Sequence, residues 1–237
     1  MQFNKLFSTS MLSCLIAVPV SASVIQISHD SGTFELHSNP MDIFSEGSDY
    51  FSTEDLASAH ANLNNWGIST DGKITLLPVN TDAGLSFITL IDEELGTGDT
   101  GANALLGITS TASSSLSMYI NDYSQDIWQL ITPPFGSQTL GATFAWGNVG
   151  SGDGFAWSGF VLGDTFAYSF NDLDGMDSTF DVEAFQFVSW NNDRWEVAST
   201  NAFDANGAWE FTGMTIPAPP TAILVAALTL SYRRRRQ

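Results

Sequence analysis

The chain has 237 residues, a single cysteine, 43% hydrophobic residues and a formal net charge of −19, which is apolar material enough for one domain with a full core. So strong an acidic excess excludes nucleic acid as a partner, because phosphate binding needs clustered cations. One cysteine excludes an intrachain disulfide and a Cys-rich metal site.

The N-terminus reads as an export signal. Lys5 supplies a positive start, residues 6–20 an apolar core, and Val20-Ser21-Ala22-Ser23 the small residues that signal peptidase accepts. A leader over residues 1–23 takes Cys14 and Lys5 with it. Four of the seven basic residues are Arg233, Arg234, Arg235 and Arg236, at the far terminus. The body of the chain keeps only Lys73 and Arg194 against 26 acids, a net charge of −24. Such self-repulsion suits a cation-rich exterior, where screening is strong, and equally well keeps a secreted protein soluble.

Residues 24–27 and 33–36 are short β-like runs around Asp30-Ser31-Gly32, an opening hairpin. Residues 41–50 read as polar loop. The one helix begins near Ser52, where Ser52-Thr53-Glu54-Asp55 resembles a capping box and Leu56, Ala59 and Leu63 share a face. It ends by Asn64-Asn65, and its expected place is over one end or edge of a sheet. Strands follow at 73–79 and 85–91, the second apolar on both faces and so centrally buried. Residues 92–103 form an acidic, Gly-rich loop. Residues 104–108 read as a strand, the Ser/Thr-rich stretch after them as a turn, 116–120 as the next strand, and 125–132 as an apolar run that Pro133-Pro134 stops.

Three similar stretches then recur every eleven residues: Gly141-Ala142-Thr143-Phe144-Ala145-Trp146, Gly152-Asp153-Gly154-Phe155-Ala156-Trp157 and Gly163-Asp164-Thr165-Phe166-Ala167-Tyr168. Eleven residues fit one strand and one turn, so the repeat is expected to build neighbouring strands of a meander with one aromatic face. That face is either sandwich core or a platform on which sugar rings stack, with Trp146 and Trp157 as the carbohydrate contacts; a large exposed aromatic patch is unusual, which favours core. Residues 180–190, 194–198 and 209–212 read as further strands, with Asn191-Asn192-Asp193 a tight turn. Many short strands and one helix predict an all-β fold, an antiparallel β-sandwich of jelly-roll or lectin-like kind over residues 24–215, with terminal helices for the leader and the C-terminal apolar segment.

Asp172, Asp174 and Asp177 lie on one turn and repel each other unless a cation sits among them, so calcium is the cofactor the sequence admits. A solvated acidic turn is the other reading. Asp153 and Asp92-Glu93-Glu94 are weaker candidates of the same kind. His29 and His37 could meet zinc across the opening hairpin. None of the sequence templates for nucleophilic hydrolases, zinc proteases, P-loops or dinucleotide binding is present, so a non-enzymatic role is expected. A carboxylate pair of the glycoside-hydrolase type is recognised by separation in space and stays open.

The chain closes with Ile216-Pro217-Ala218-Pro219-Pro220, an uncharged helix-capable run over residues 221–232, and the four arginines. Prolines fix φ and remove donors, so no strand continues through them. Twelve helical residues reach only ~18 Å against a hydrocarbon core of roughly 30 Å, and the arginines favour the cytoplasmic side. This order resembles the PEP-CTERM sorting signal of exosortase substrates, with Pro217-Ala218-Pro219 where that family usually has Pro-Glu-Pro. The resemblance covers residues 216–237. It implies signal-peptidase processing and export, transient residence in the inner membrane, cleavage near the prolines by a membrane-embedded exosortase-like protease, and release to the cell surface or extracellular matrix. The expected role is structural or adhesive, with a carbohydrate-binding module and a polysaccharide hydrolase as the alternatives.

Overall fold

A computed structural model describes residues 24–30, 32–42, 53–92, 104–120, 127–146, 153–170, 184–202 and 209–217. They form fourteen strands and one helix: β1 (Val24–His29), β2 (Gly32–His37), β3 (Asn39–Asp42), α1 (Thr53–Asn65), β4 (Lys73–Thr81), β5 (Gly84–Ile91), β6 (Ala104–Ser113), β7 (Ser117–Ile120), β8 (Ile127–Ile131), β9 (Ser137–Trp146), β10 (Asp153–Phe160), β11 (Thr165–Phe170), β12 (Ala184–Asn191), β13 (Arg194–Ala202) and β14 (Trp209–Ile216). One sheet has the order β2-β1-β14-β11-β6-β9-β8. The other runs β13-β12-β4-β5-β10-β7, with β3 also paired to β4. Their inner faces share one aromatic core, so the fold is an all-β sandwich with one short helix.

Local rules place several elements. The opening hairpin pairs β1 with β2 antiparallel from Val24↔His37 to His29↔Gly32. Asn192 and Asp193 both take positive φ, 50° and 63°, the two-residue type I′ turn whose twist matches the hairpin β12–β13. In α1 the expected face is formed: Leu56, Ala59 and Leu63 are fully buried. Each buried leucine contributes roughly 1.5–3 kcal/mol.

The helix covers neither an end nor an edge, the place expected for it. It lies on the outer face of the second sheet, with Leu56, Ala59, Leu63 and Ile68 against Leu77, Val79, Ile88, Leu90, Val188 and Trp195. Trp195 Nε1–H donates to Asn62 Oδ1 across that seam at 2.7 Å. The second sheet is therefore covered on both sides, which is why β5 is buried from Leu85 to Ile91 and carries apolar residues on both faces. This sheet is mixed rather than purely antiparallel, because β3 and β12 both run parallel to β4. The parallel β3–β4 pair needs a crossover, and the chain between them contains α1. Pro78 sits where β4 passes from one parallel neighbour to the other: β12 pairs through Leu76 and β3 begins at Val79. A residue without an N–H fits at that changeover.

Two further expectations are corrected. The Ser/Thr stretch after Ile108 continues β6 to Ser113, paired residue for residue with β9. The eleven-residue repeat is not a meander either, since β9 and β11 belong to the first sheet, β10 to the second, and none of the three pairs with another. Its aromatics meet face to face across the sandwich: Phe144 stacks on Phe155 at 5.6 Å and Phe155 on Tyr168 at 5.4 Å. The expected leader and C-terminal helices lie outside the described residues, among which no helix is long and apolar enough to cross a membrane.

Packing inside the first sheet depends on one absent side chain. Gly213 of β14 faces Phe166 of β11, and a Cβ there would lie 2.1 Å from Phe166 Cζ. Phe166 is itself enclosed by Phe87, Phe160, Tyr168 and Phe211. Gly213→Ala is expected to destabilise by about 1–3 kcal/mol through overpacking, read from urea midpoints, and adding Phe166→Leu should restore part of the loss. An unchanged midpoint in the single variant would contradict this account of the ring.

Candidate functional site: the outer face of the first sheet

Strand alternation sends Phe166, Tyr168, Phe170, Phe211, Ile108 and Ala112 inward. The residues between them face out. Along β11 these are Thr165, Ala167 and Ser169; along β14, Glu210, Thr212 and Met214; along β6, Thr109, Thr111 and Ser113. Register lines them up in rows across the sheet. Ser28 pairs with Thr212, Thr212 with Ala167, Ala167 with Thr111, and Thr111 with Thr139. The neighbouring row brings Gln26, Met214, Thr165, Ser113 and Ser137 together. This face is largely paved with hydroxyls.

Two adjoining open grooves of about 410 and 390 Å³ run over it, and both are lined by Ser28, Thr111, Ala167 and Thr212. Ala167 is the small residue of the row, so it forms a floor between the hydroxyls of Thr111 and Thr212. At one end stand His29, Asp30 and Glu210. The His29 ring lies 4.7 Å from that of Trp209, and Glu210 accepts a hydrogen bond from Ser169 at 3.1 Å. Serine and threonine hydroxyls both donate and accept. Among the described residues the cations Lys73 and Arg194 belong to the second sheet, with Arg194 paired to Glu196. The groove therefore has no cation to hold a phosphate or sulfate, and its chemistry suits a neutral, hydroxyl-rich ligand.

The residues expected to carry function fall elsewhere. Trp157 is fully buried and donates its Nε1–H to Ser110 Oγ at 2.9 Å, so it belongs to the core and offers sugar no surface. Trp146 ends β9, and its side chain lies outside the described residues, as do Asp172, Asp174, Asp177, Ala218, Pro219 and Arg233, Arg234, Arg235 and Arg236. Ile216 is the last residue of β14, opposite Val24, and Pro217 follows it. His29 and His37 stand at opposite ends of the β1–β2 ladder, which keeps them from sharing a zinc ion. Among the described residues no three His, Cys, Asp or Glu side chains are grouped to hold a metal. Asp92 and Asp153 are buried, and each accepts a backbone N–H: Asp92 Oδ1 from Gly72 at 3.0 Å, and Asp153 Oδ1 from Gly154 at 2.7 Å.

The hydroxyl face itself was missed in the sequence, although Thr165-Phe166-Ala167-Tyr168-Ser169-Phe170 displays it by alternation. The aromatic half of that pattern names the core, and the other half names the exposed surface. Against protein-family models, curated proteins and solved structures, the chain gives no significant match.

Proposed function

We propose that this chain is an exported, non-enzymatic protein of the cell surface or extracellular matrix, with a lectin-like sandwich in an adhesive or structural role. The two chain ends support export. A signal-peptidase leader over residues 1–23 and a PEP-CTERM-like tail over residues 216–237 would bring the protein to the inner membrane, and an exosortase-like protease would release it. The observation that carries adhesion is the row Ser28, Thr212, Ala167 and Thr111, which lines both grooves. An extended neutral polysaccharide is the ligand it fits: hydroxyls match hydroxyls, and the acidic domain repels polyanions.

This version of carbohydrate binding uses a hydroxyl floor in place of surface tryptophans. Ala167→Trp should fill the junction of the two grooves and abolish retention on insoluble neutral polysaccharides. Because Ala167 points outward, stability should stay within about 0.5 kcal/mol of the parent. Retention of both proteins alike, or of neither, would contradict the assignment.

A further inference from the structure

Two neighbouring turns at one end of the sandwich expose apolar side chains at their tips, and we infer that this end sits on a lipid surface. Three exposed side chains define it. Phe135, in the turn between β8 and β9, is 89% exposed; Val161 and Leu162, in the turn between β10 and β11, are 62% and 68% exposed. The two turns are close neighbours in the fold. Ser137, just after the first, pairs with Ser113, and Ser113 in turn holds Thr165, just after the second, through Thr165 N–H donating to Ser113 Oγ at 3.0 Å. Two strand spacings, about 10 Å, therefore separate them laterally.

The second turn is held firmly in shape. Asp164 accepts Val161 N–H at 2.8 Å and the Ser115 hydroxyl at 2.9 Å, so its carboxylate is engaged within the turn while Val161 and Leu162 project. Solvent-facing aliphatic and aromatic side chains at loop tips gain free energy by entering the headgroup–acyl boundary.

The occupant is a membrane because of where the chain enters and leaves. Val24 and Ile216 are paired neighbours at this same end. Gly163 N–H donates to Thr215 O at 3.1 Å and Thr215 N–H to Asp164 O at 3.0 Å, which places the exit beside Val161 and Leu162. Before processing, both apolar segments of the sequence, residues 6–20 and 221–232, join the chain at this end. Charge agrees with the orientation. The strand ends at the opposite pole lead into residues 93–103, 121–126, 171–183 and 203–208, which carry eleven of the 26 acidic residues, whereas at the apolar pole the described turns carry Asp82, Asp164 and Asp193 and β3 leads into residues 43–52 with Glu46 and Asp49. An anionic bilayer repels the acidic pole and leaves the apolar one facing it. The inference rests on the proposed export only for the source of the tether.

The test uses the full chain with a C-terminal hexahistidine, held on phosphatidylethanolamine–phosphatidylglycerol vesicles by a nickel-chelating lipid, with bromine on the acyl chains as quencher. A fluorophore is attached at Phe135→Cys, Leu162→Cys or Asp30→Cys, each in a Cys14→Ser background. Labels at 135 and 162 should be quenched several-fold more than the label at 30. Equal quenching at all three positions, or none at 135 and 162, would overturn the inference. Imidazole then releases the artificial tether: a chain that stays is anchored by its own apolar segments, and one that leaves refutes that anchorage without altering the quenching result.

Discussion

Trp157→Ala is expected to cost about 3–5 kcal/mol, the range for emptying a buried aromatic site. The side chain is the largest among those fully buried, and it spans the sandwich from β10 in the second sheet to Ser110 of β6 in the first. Ser110 Oγ in turn donates to Ala167 O at 3.1 Å, so truncation leaves both a cavity and an uncapped polar contact beneath the groove floor. Whole domains of ordinary size have only about 5–15 kcal/mol in hand, so the loss takes a large share of stability. Trp157→Phe retains most of the apolar contact and should lose much less. Chemical denaturation followed by near-ultraviolet circular dichroism checks both variants. A cost below about 1 kcal/mol for Trp157→Ala, the worth of one ordinary hydrogen bond, would show that this residue does not join the sheets.

The second large effect is a pH dependence set by His60. This residue lies on the buried face of α1, with Nδ1 2.8 Å from Thr70 Oγ1 and Nε2 buried without a hydrogen-bond partner among the described residues. Burial disfavours the imidazolium and lowers the pKa from 6.5 to about 4. The unfolded chain takes up a proton near pH 6.5, and the folded chain does not until about pH 4, so protonation favours unfolding across that window. The stabilising contribution is complete above pH 6.5 and declines as the pH falls toward 4, by up to about 3 kcal/mol at 1.36 kcal/mol per unit. His60→Gln can still meet the Thr70 hydroxyl and does not titrate. Urea midpoints at pH 7, 5.5 and 4.5 should fall more steeply for the parent than for His60→Gln, and parallel curves would contradict the assignment. Tyr168, whose phenol burial raises above its ordinary value, stays neutral throughout this range.

The parts of the fold legible in the sequence are those fixed within a few residues. Asn192 and Asp193 supply the left-handed conformations of a type I′ turn, and Leu56, Ala59 and Leu63 mark a helix face whatever they meet. Partner choice is not local. The repeat containing Phe144, Phe155 and Phe166 correctly implies strand, turn and apolar face. Nothing in eleven residues says that the chain crosses from one sheet to the other at each step, so that Phe144 and Phe155 stack between layers. The end of β6 was hidden for a related reason. Thr109, Ser110, Thr111 and Ala112 resemble turn chemistry, and Ser110 is tolerated inside because Trp157, 47 residues away, donates to it.

The candidate site was legible in half. On β11 the outward Ala167 and Ser169 each stand between two inward aromatics, yet attention went to the aromatics alone, whose favoured reading as core holds for Trp157. A groove requires knowing that β1, β14, β11 and β6 are neighbours. That order brings residues from the first and last strands together.

The account depends most directly on delivery outside the cytoplasm by the two chain ends, with the sandwich as the part that arrives. The intact mass of the protein recovered from cell envelope and medium measures this. The predicted result is a species that begins near Val24 and ends near Pro217-Ala218-Pro219, found at the surface or in the matrix. A full-length chain with Met1 and Arg233, Arg234, Arg235 and Arg236 still attached would contradict it.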